Sequence, residues 1–331
     1  MKVLVTGGTG FVGSHTVAAL VGRGHEVRVL ARTPERVPVV LEPFGVAVEA
    51  VRGDVTDRAS VAAALEGCRA VVHAAAEIGV AGGTGHPSDV NVEGTRTVLA
   101  EAVAAGIDPI VYTSTITVYL PSADAVVTPS SALAEPLSAY GASKRDAELV
   151  VRGHQDRGEP VTSFTLGGVY GPLSPHRDGS FGAILGALGS VMLVPPGGMG
   201  LVDVRDVAQL LARAVEPGRG PRRYLAGGQF VTWAQWTEVL GEAAEVDLHG
   251  HRVTVEEMVD LGRQFDDQRR GGTPVDVPMS EEAAVIMTGG VPTDDSATLA
   301  DLDLAYRPLL DTFRDTVAYL RASGDLPVPG G

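Results

Sequence analysis

The feature that most constrains the fold is the glycine-rich segment TGGTGFVG at residues 6–13, which follows a short apolar run at 3–6. Its glycines suit three different tasks. Gly7 allows a tight turn, Gly10 lets the backbone approach a pyrophosphate, and Gly13 permits a helix to pack closely on a strand. Because a strand, a turn and a helix follow in that order, the segment predicts a dinucleotide site near the start of the chain.

Short β-branched runs alternate with alanine-rich amphipathic stretches through the first half of the chain. The runs that predict strands are at 3–6, 26–31, 47–51, 70–73, 109–113 and 161–166. The stretches that predict helices are at 12–23, 59–66, 92–105 and 139–157. This alternation indicates parallel strands joined by crossover helices, and therefore an α/β fold with a doubly wound parallel sheet of the Rossmann type. Such a sheet binds its ligand at the carboxyl ends of its strands.

The regular pattern loosens after about Thr165. At roughly 150 residues per domain, 331 residues suggest about two domains. The second is expected to be a smaller, mixed α/β substrate domain, with a helix at 307–321 and a solvated loop at 264–273. The expected limits are 1–166 for the dinucleotide-binding domain, with a returning segment near 200–226, and 167–199 together with 227–331 for the substrate domain.

Charge and cysteine content exclude several functions. The chain carries 41 acidic and 26 basic residues, a formal charge of −15, which disfavours nucleic acid as a partner. Cys68 is the only cysteine, so no intramolecular disulfide can form, and no apolar run approaches the roughly 18 residues of a spanning helix. We expect a cytoplasmic protein with no membrane partner. His249 and His251 are expected to be surface residues, and no metal is expected.

The residues after the second predicted strand bear on the choice of cofactor. An acid there would pair with the ribose hydroxyls of NAD(H), whereas an arginine accommodates the 2′-phosphate of NADP(H). The chain has Arg32, and Arg36 follows one helical turn later. A guanidinium grips a phosphate through charge-assisted hydrogen bonds, so NADP(H) is expected over NAD(H). The alternative is that Arg32 is simply solvated on the surface.

Further cofactor contacts are expected at the ends of the third and fourth predicted strands. Asp54 and Val55 follow the third strand and could meet the adenine. The small residues Ala74, Ala75 and Ala76 follow the fourth, where they would let the backbone lie against the cofactor. A glycine-rich loop at 79–86 either faces the substrate or is plain surface.

Tyr140 and Lys144 stand four residues apart in YGASK, which places them on one helical face a turn apart. A phenol with a pKa near 10 is a poor base at neutral pH, but an adjacent ammonium lowers that value. This pairing fits the interconversion of an alcohol and a carbonyl, in which the tyrosine moves the hydroxyl proton while a nicotinamide moves the hydride. Hydroxyls at 113–115 end the fifth predicted strand, where one could hold the substrate oxygen.

These features resemble the extended short-chain dehydrogenase/reductase family of NAD(P)-dependent epimerases, dehydratases and reductases. The resemblance runs through nearly the whole chain. It is carried by TGGTGFVG at 6–13, GDVTD at 53–57, VVHAAA at 71–76, NVEGT at 91–95, TSTITVY at 113–119, YGASK at 140–144, GGVYGP at 167–172 and VDVRDVA at 202–208.

The resemblance implies a role for each matching residue. Tyr140 would be the acid/base, Lys144 would lower its pKa and bind the nicotinamide ribose, and Asn91 would belong to the catalytic set. The hydroxyl role falls on Thr115, because the family's hydroxyl lies four residues before the tyrosine of the VY pair; Ser114 is the competitor. The expected cofactor contacts are Gly7, Gly10, Phe11, Val12, Gly13, Arg32, Arg36, Asp54, Val55, Ala74, Ala75, Ala76, Thr113, Ser114, Tyr140, Lys144, Gly168 and Val169.

Several departures from the family pattern narrow the expected activity. Leu120 stands where the family has glycine, and TLGGVYGP at 165–172 lacks the Arg-Pro of the sugar-nucleotide enzymes. Ile116 follows Thr115 in place of the Asp-Glu pair of the 4,6-dehydratases. The motifs are closest to dihydroflavonol-reductase-like and 3β-hydroxysteroid-dehydrogenase-like enzymes, which act on small-molecule ketones, aldehydes or alcohols. An NAD-type nucleotide-sugar epimerase and a non-catalytic NADP(H)-sensing protein remain as alternatives, and the family also suggests a homodimer.

Overall fold

The computed structural model describes residues 1–77, 87–137, 139–177, 179–273, 275 and 279–327. The loop expected at 79–86 lies outside these ranges. The strands are β1 Lys2–Thr6, β2 Glu26–Ala31, β3 Glu49–Arg52, β4 Ala70–His73, β5 Ile110–Thr115, β6 Val161–Leu166, β7 Gly168–Tyr170, β8 Met192–Val194, β9 Gly198–Asp203, β10 Arg222–Ala226, β11 Gln229–Thr232 and β12 Gly250–Arg252.

The helices alternate with these strands in the first half of the chain and dominate the second half. They are α1 Phe11–Gly22, α2 Arg36–Leu41, α3 Arg58–Leu65, α4 Pro87–Ala104, α5 Ala139–Asp156, α6 Ser180–Gly189, α7 Val204–Arg213, α8 Trp233–Ala244, α9 Val255–Arg270, α10 Glu281–Gly289, α11 Ser296–Asp301 and α12 Leu309–Ala322. Short 3₁₀ turns lie at Glu42–Phe44 and Ile116–Tyr119. No helix in the described ranges is long and apolar enough to cross a membrane.

A seven-stranded sheet in the order β10-β6-β5-β4-β1-β2-β3 forms the centre of the molecule. All of its neighbouring strands pair in parallel. The doubly wound Rossmann prediction is therefore confirmed. A three-stranded sheet, β11-β9-β7, and a two-stranded sheet, β12-β8, lie in the C-terminal α/β part.

Both faces of the central sheet are buried. Along β1, Val3 and Val5 join an apolar cluster with α1 and α7, whereas Leu4 joins a second cluster with α3, α4 and α5. Helices cover both sides, so the strands read as nearly continuous apolar runs. This arrangement leaves the carboxyl ends of the strands as the edge where polar side chains can gather.

The predicted loop at 264–273 is wrong, because residues up to Arg270 continue α9. The helix begins with a capping box in which Thr254 and Glu257 exchange side-chain and backbone hydrogen bonds. It buries only Met258 and Gly262, so its apolar signal is weak. Ion pairs between residues three apart, such as Arg269 with Asp266, support the polar turns instead.

Smaller differences concern element ends. β3 covers Glu49–Arg52 where 47–51 was predicted, and β5 extends to Thr115 where 113 was predicted. α4 begins at Pro87, five residues before the predicted start. The C-terminal helix begins at Leu309, because Pro308 immediately precedes its first turn.

Candidate active site

The glycine turn between β1 and α1 has the geometry that its sequence predicts. Gly7 has φ of 75°, and a Cβ there would lie 2.6 Å from the backbone of Ala74 and Ala75. A Cβ on Gly13 would lie 2.6 Å from the carbonyl carbon of Gly7 and closer still to its oxygen. The amide of Gly10 donates to the Gly7 carbonyl over 2.9 Å, and α1 begins at the next residue. The N-terminus of α1 is thus open to an anion, as a pyrophosphate site requires.

A cavity of about 310 Å³ opens beside this turn, at the carboxyl ends of β1 to β4. Nine of the predicted cofactor contacts line it: Gly7, Gly10, Arg32, Arg36, Asp54, Val55, Ala74, Ala75 and Ala76. The lining residues that sequence reasoning did not name are Thr9, Leu30, Ala31, Gly53, Glu77, Val90 and His176. A side chain at Gly7 or Gly13 would collide with backbone, so the close approach of the glycine turn to the residues after β4 and to α1 requires glycine at both positions.

Charged side chains surround the end of β2 at the rim of this cavity. The Arg32 side chain is 71% exposed, and its Nη1 lies 3.2 Å from Glu77 Oε1. Arg52, the last residue of β3, donates from Nη1 to the Arg32 carbonyl over 2.8 Å and pairs with Glu35. Arg52 was missed because the predicted strand stopped one residue short of it. Three arginines therefore lie near this rim, since Arg36 opens α2 there.

Asp54 is held in a turn at the same rim. Its carboxylate accepts hydrogen bonds from the amide and hydroxyl of Thr56 at 2.9 and 2.8 Å. The pKa of Asp54 lies below its usual value, chiefly because of the hydrogen bond from the Thr56 amide and also because of the nearby Arg32 charge. The side chain is thus an ionised acceptor at the cavity wall.

The floor of the cavity is braced by a buried histidine. His73 Nδ1 lies 2.7 Å from the Thr6 hydroxyl, and His73 Nε2 lies 3.4 Å from the hydroxyl of Thr95. Burial lowers the pKa of His73 to about 3, with a further contribution from the Lys144 charge. The neutral imidazole is hydrogen-bonded at both ring nitrogens and so joins β4 to β1 and to α4. The residues that follow it, Ala74 and Ala75, line the cavity.

The Tyr140–Lys144 pair lies on α5 against the carboxyl half of β5. Lys144 is buried; its Nζ is 3.4 Å from the Tyr112 hydroxyl and 5.4 Å from the centre of the Tyr112 ring. Burial lowers the pKa of Lys144 to about 8. Burial, and then the charge of Glu282, raises the pKa of Tyr140 to about 12. The prediction that the pKa of Tyr140 is lowered is therefore wrong for this structure, in which burial and the Glu282 charge raise it.

The hydroxyls at the end of β5 have different surroundings. Thr115 is partly buried. Its Oγ1 accepts a hydrogen bond from the Thr117 hydroxyl, 3.2 Å away, at the start of the Ile116–Tyr119 turn. Ser114 is buried on the opposite face of the strand, toward α5. Thr113 donates weakly to the His73 carbonyl over 3.4 Å, which ties β5 to β4. Thr115 is the more accessible of the two candidates for the substrate oxygen.

Asn91 joins the cofactor side to the Tyr140 side. Its side-chain amide accepts from the Glu77 amide over 2.8 Å and donates to the Glu77 carbonyl over 3.0 Å. The same nitrogen is 3.1 Å from the Ser143 hydroxyl, which itself donates to the Tyr140 carbonyl. Asn91 is buried and fully engaged, so the structure gives it a bracing position between α4, α5 and the segment after β4.

The remaining predicted contacts lie outside the cavity lining. Phe11 and Val12 form the first turn of α1, where the Phe11 ring packs edge-on against Phe181. Gly168 and Val169 form β7, which continues past the end of β6 and pairs with β9. In the described part of the chain no three His, Cys, Asp or Glu side chains group as a metal site.

Comparison with known proteins gives one family. A sequence model of the NAD dependent epimerase/dehydratase family matches residues 3–227. The curated "Sterol demethylase protein B" of Methylococcus capsulatus is 31% identical over 98% of this chain and 99% of its own length. A UDP-glucose 4-epimerase of Erwinia amylovora is 30% identical over 55% of this chain and 56% of its own length.

The fold is shared with solved members of this group. The structure of a UDP-glucose-4-epimerase from Stenotrophomonas maltophila, with bound NAD and formylated UDP-arabinopyranose, superposes with a TM-score of 0.76 at 22% identity. The match covers 98% of this chain and 99% of that one. At that identity the likeness concerns the arrangement of strands and helices. It agrees with the sheet order and the C-terminal α/β part described above.

Proposed function

This chain belongs to the NAD-dependent epimerase/dehydratase family, of the extended short-chain dehydrogenase/reductase type, and we propose that it interconverts an alcohol and a ketone or aldehyde with NADP(H). Members of this family are NAD(P)-dependent enzymes. The observation that carries the proposal is the Tyr140–Lys144 pair on α5, in which Lys144 contacts Tyr112 of β5, the strand that ends at Thr115. A bound nicotinamide would supply or accept the hydride.

The protein's own side chains supply the proton chemistry. In the direction of reduction, Tyr140 gives its hydroxyl proton to the forming alkoxide, while the Thr115 hydroxyl donates to that oxygen and orients it. In the direction of oxidation, Tyr140 must first lose its proton, which its pKa of about 12 opposes. The Lys144 ammonium one helical turn away stabilises the phenolate electrostatically. We also assign Lys144 the binding of the nicotinamide ribose, as the family resemblance implies.

A steroid is the first substrate to test, because the relative that matches nearly the whole chain is named a sterol demethylase protein. Wild-type protein is incubated with a 3β-hydroxysteroid and NADP⁺ or NAD⁺, and nicotinamide reduction is followed by absorbance. Tyr140→Phe is expected to lose at least about a hundredfold in kcat. Tyr306→Phe is the matched control, since it removes a hydroxyl bonded to Asp295, outside the proposed site. Equal rates in wild type and Tyr140→Phe would refute the role of Tyr140.

The preference for NADP(H) rests on the arginines near the end of β2. Arg32 and Arg36 line the cavity, and Arg52 bonds to the Arg32 backbone. Glu77 holds the exposed Arg32 side chain in an ion pair of 3.2 Å. A 2′-phosphate carries more charge than a carboxylate and bonds a guanidinium through two oxygens, so it can displace Glu77 from Arg32.

Parallel titrations with NADPH and NADH, followed by nicotinamide fluorescence, test this preference. We expect NADPH to bind at least tenfold tighter, roughly 1.4 kcal/mol, and the difference to collapse in Arg32→Ala. Arg58→Ala is the control, because Arg58 is an exposed arginine on α3 paired with Glu101. Equal affinity for the two cofactors in wild type would refute the preference and leave the alcohol–carbonyl proposal standing.

A nucleotide-sugar epimerase is the second candidate, because the Erwinia amylovora relative is named a UDP-glucose 4-epimerase. An epimerase oxidises and re-reduces its substrate, so it leaves no net change in the nicotinamide. Tight binding of UDP, measured by calorimetry, together with interconversion of UDP-glucose and UDP-galactose would favour this candidate. Absence of UDP binding would exclude it. Tight NADPH binding with no turnover of either substrate class would favour a cofactor-sensing protein.

A further inference from the structure

Lysine is rare in this protein. The chain has two lysines, Lys2 and Lys144, among its 26 basic residues. An arginine stays protonated in proteins, whereas the pKa of a buried lysine changes readily with its surroundings. Of lysine and arginine, position 144 therefore carries, in a buried site, the one whose charge state its neighbours can set.

Ionisable side chains form one row along α5, with four residues from each to the next. The row consists of Tyr140, Lys144, Glu148 and Arg152. This spacing places successive members one helical turn apart on the same face. Lys144 contacts Tyr112 of β5, and Arg152 donates to the Tyr119 hydroxyl over 2.7 Å. The row thus faces β5 and the 3₁₀ turn that follows Thr115.

Glu148 is the carboxylate between the two cations of this row. Its side chain is 1% exposed, and its Oε1 lies 3.5 Å from Arg152 Nε. Burial raises the pKa of Glu148 above its ordinary value, and the Ser114 hydroxyl and the charges of Arg152 and Lys144 only partly offset that rise. The cations one turn to either side stabilise the charged form of this carboxylate and so oppose the effect of burial.

We propose that Glu148 is a positioning residue for the reaction, whose carboxylate keeps Lys144 protonated so that Tyr140 can release its proton. The inference rests on the proposed function, because it assumes that Tyr140 moves the substrate proton. It assigns Glu148 an electrostatic task that a residue serving only to pack α5 would not have.

The other titratable groups around Lys144 cannot do this. On β5, burial raises the pKa of Tyr112, so its phenol stays neutral. On β4, His73 has a pKa of about 3 and is also neutral, and on α5 the pKa of Tyr140 is about 12. Burial lowers the pKa of Lys144 to about 8, and the Glu148 charge opposes that fall. Of the described groups around Lys144, Glu148 is therefore the one whose charge favours the protonated lysine.

The small number of lysines makes a direct test possible. Protein labelled with ¹³C only in lysine gives two ε-carbon signals in an NMR pH titration, and Lys144→Arg identifies the signal of Lys144. The wild-type signal should titrate with a pKa of about 8. In Glu148→Gln we expect that pKa to fall by about one unit or more, because a carboxylate roughly one turn away has been neutralised. The signal of Lys2, far from α5, should not move.

Two further variants make the result specific. Asp156→Asn removes an exposed carboxylate from the same helix, where it pairs with Arg223, and should leave the Lys144 titration unchanged. Glu148→Asp keeps the charge on a shorter side chain, so it should lower the pKa of Lys144 less than Glu148→Gln does. If circular dichroism shows that Glu148→Gln does not fold, Glu148→Asp provides the test. A Lys144 titration that is identical in wild type and the Glu148 variants would overturn the proposal.

A kinetic measurement then connects this titration to the reaction. In Glu148→Gln, kcat for alcohol oxidation should fall at neutral pH while the affinity for NADPH changes little. A fall in stability with an unaltered Lys144 titration would instead assign Glu148 a structural role. The NMR experiment needs neither cofactor nor substrate. A wild-type protein that binds no nicotinamide would therefore refute the proposed function without affecting the reading of the Lys144 titration.

Discussion

Replacing Gly13 with alanine tests the physical reason for the glycine turn. The new Cβ would lie 2.6 Å from the Gly7 carbonyl carbon, and closer to the oxygen, whereas carbon atoms in contact prefer about 3.5–4.0 Å. The colliding group is backbone, so it cannot rotate away. The first turn of α1 must therefore move by about 1 Å from the turn between β1 and α1.

This displacement should appear in both stability and binding. Overpacking of a rigid contact costs about 1–3 kcal/mol, so the Tm of Gly13→Ala should fall by several degrees. Because the helix N-terminus moves away from the pyrophosphate position, NADPH affinity should fall at least tenfold, roughly 1.4 kcal/mol. Differential scanning calorimetry and nicotinamide fluorescence measure the two effects.

Gly22 supplies a matched control in the same helix. A Cβ on Gly22 would meet no atom within 4 Å, so Gly22→Ala replaces a helical glycine without a collision. Alanine favours a helix by up to about 1 kcal/mol over glycine, and we expect an unchanged or slightly higher Tm with normal NADPH binding. Wild-type Tm and wild-type NADPH affinity in Gly13→Ala would refute the argument from close packing.

Three further predictions follow from the charges and hydrogen bonds of the site and its supports. Glu282→Gln should lower the pKa of Tyr140, so the alkaline rise in the rate of alcohol oxidation should move to lower pH; an unmoved pH profile would contradict this. Asp203→Ala should cost about 3–5 kcal/mol in stability, because its buried carboxylate binds Arg205 and Thr312. The pKa of Asp203 in the folded protein lies below its ordinary 3.8. The stability that its charge contributes is therefore fully present above pH 3.8 and is lost as the pH falls through the folded pKa. Equal Tm values for Asp203→Ala and wild type at every acid pH would contradict this. Asn91→Ala removes the two hydrogen bonds that hold the Glu77 backbone beside the cavity, so NADPH should bind about tenfold more weakly. A fluorescence titration that gives the wild-type affinity would contradict this.

The sequence predicts the parts of the fold that depend on local pattern. The glycine turn, the order of strands and helices, and nine residues of the cavity follow from motifs and from periodicity. α9 was missed over 264–270 because its stability comes from a capping box and ion pairs along a polar face. A polar helix of this kind has no apolar stripe for sequence reasoning to detect.

The parts of the site that sequence reasoning missed are made by partners from distant positions. Glu77 becomes part of the cavity because Asn91 holds its backbone and Arg32 pairs with its side chain. Glu148 gains its surroundings from β5 and from residues a turn away on α5. Neither residue stands in a motif with a chemical meaning of its own. The fold gives each of them a cationic neighbour, Arg32 for Glu77 and Arg152 for Glu148.

The central claim is that Tyr140 moves the proton when hydride passes between the nicotinamide and a carbonyl carbon. The transfer can be followed with NADPH carrying two deuterium atoms at C4 of the nicotinamide ring, with a ketosteroid as acceptor and mass spectrometry of the alcohol formed. We expect the wild-type protein to form product with one deuterium on the carbinol carbon, and Tyr140→Phe to form almost none. Transfer by Tyr140→Phe at the wild-type rate, or no transfer by wild-type protein that binds NADPH and the ketosteroid, would contradict it.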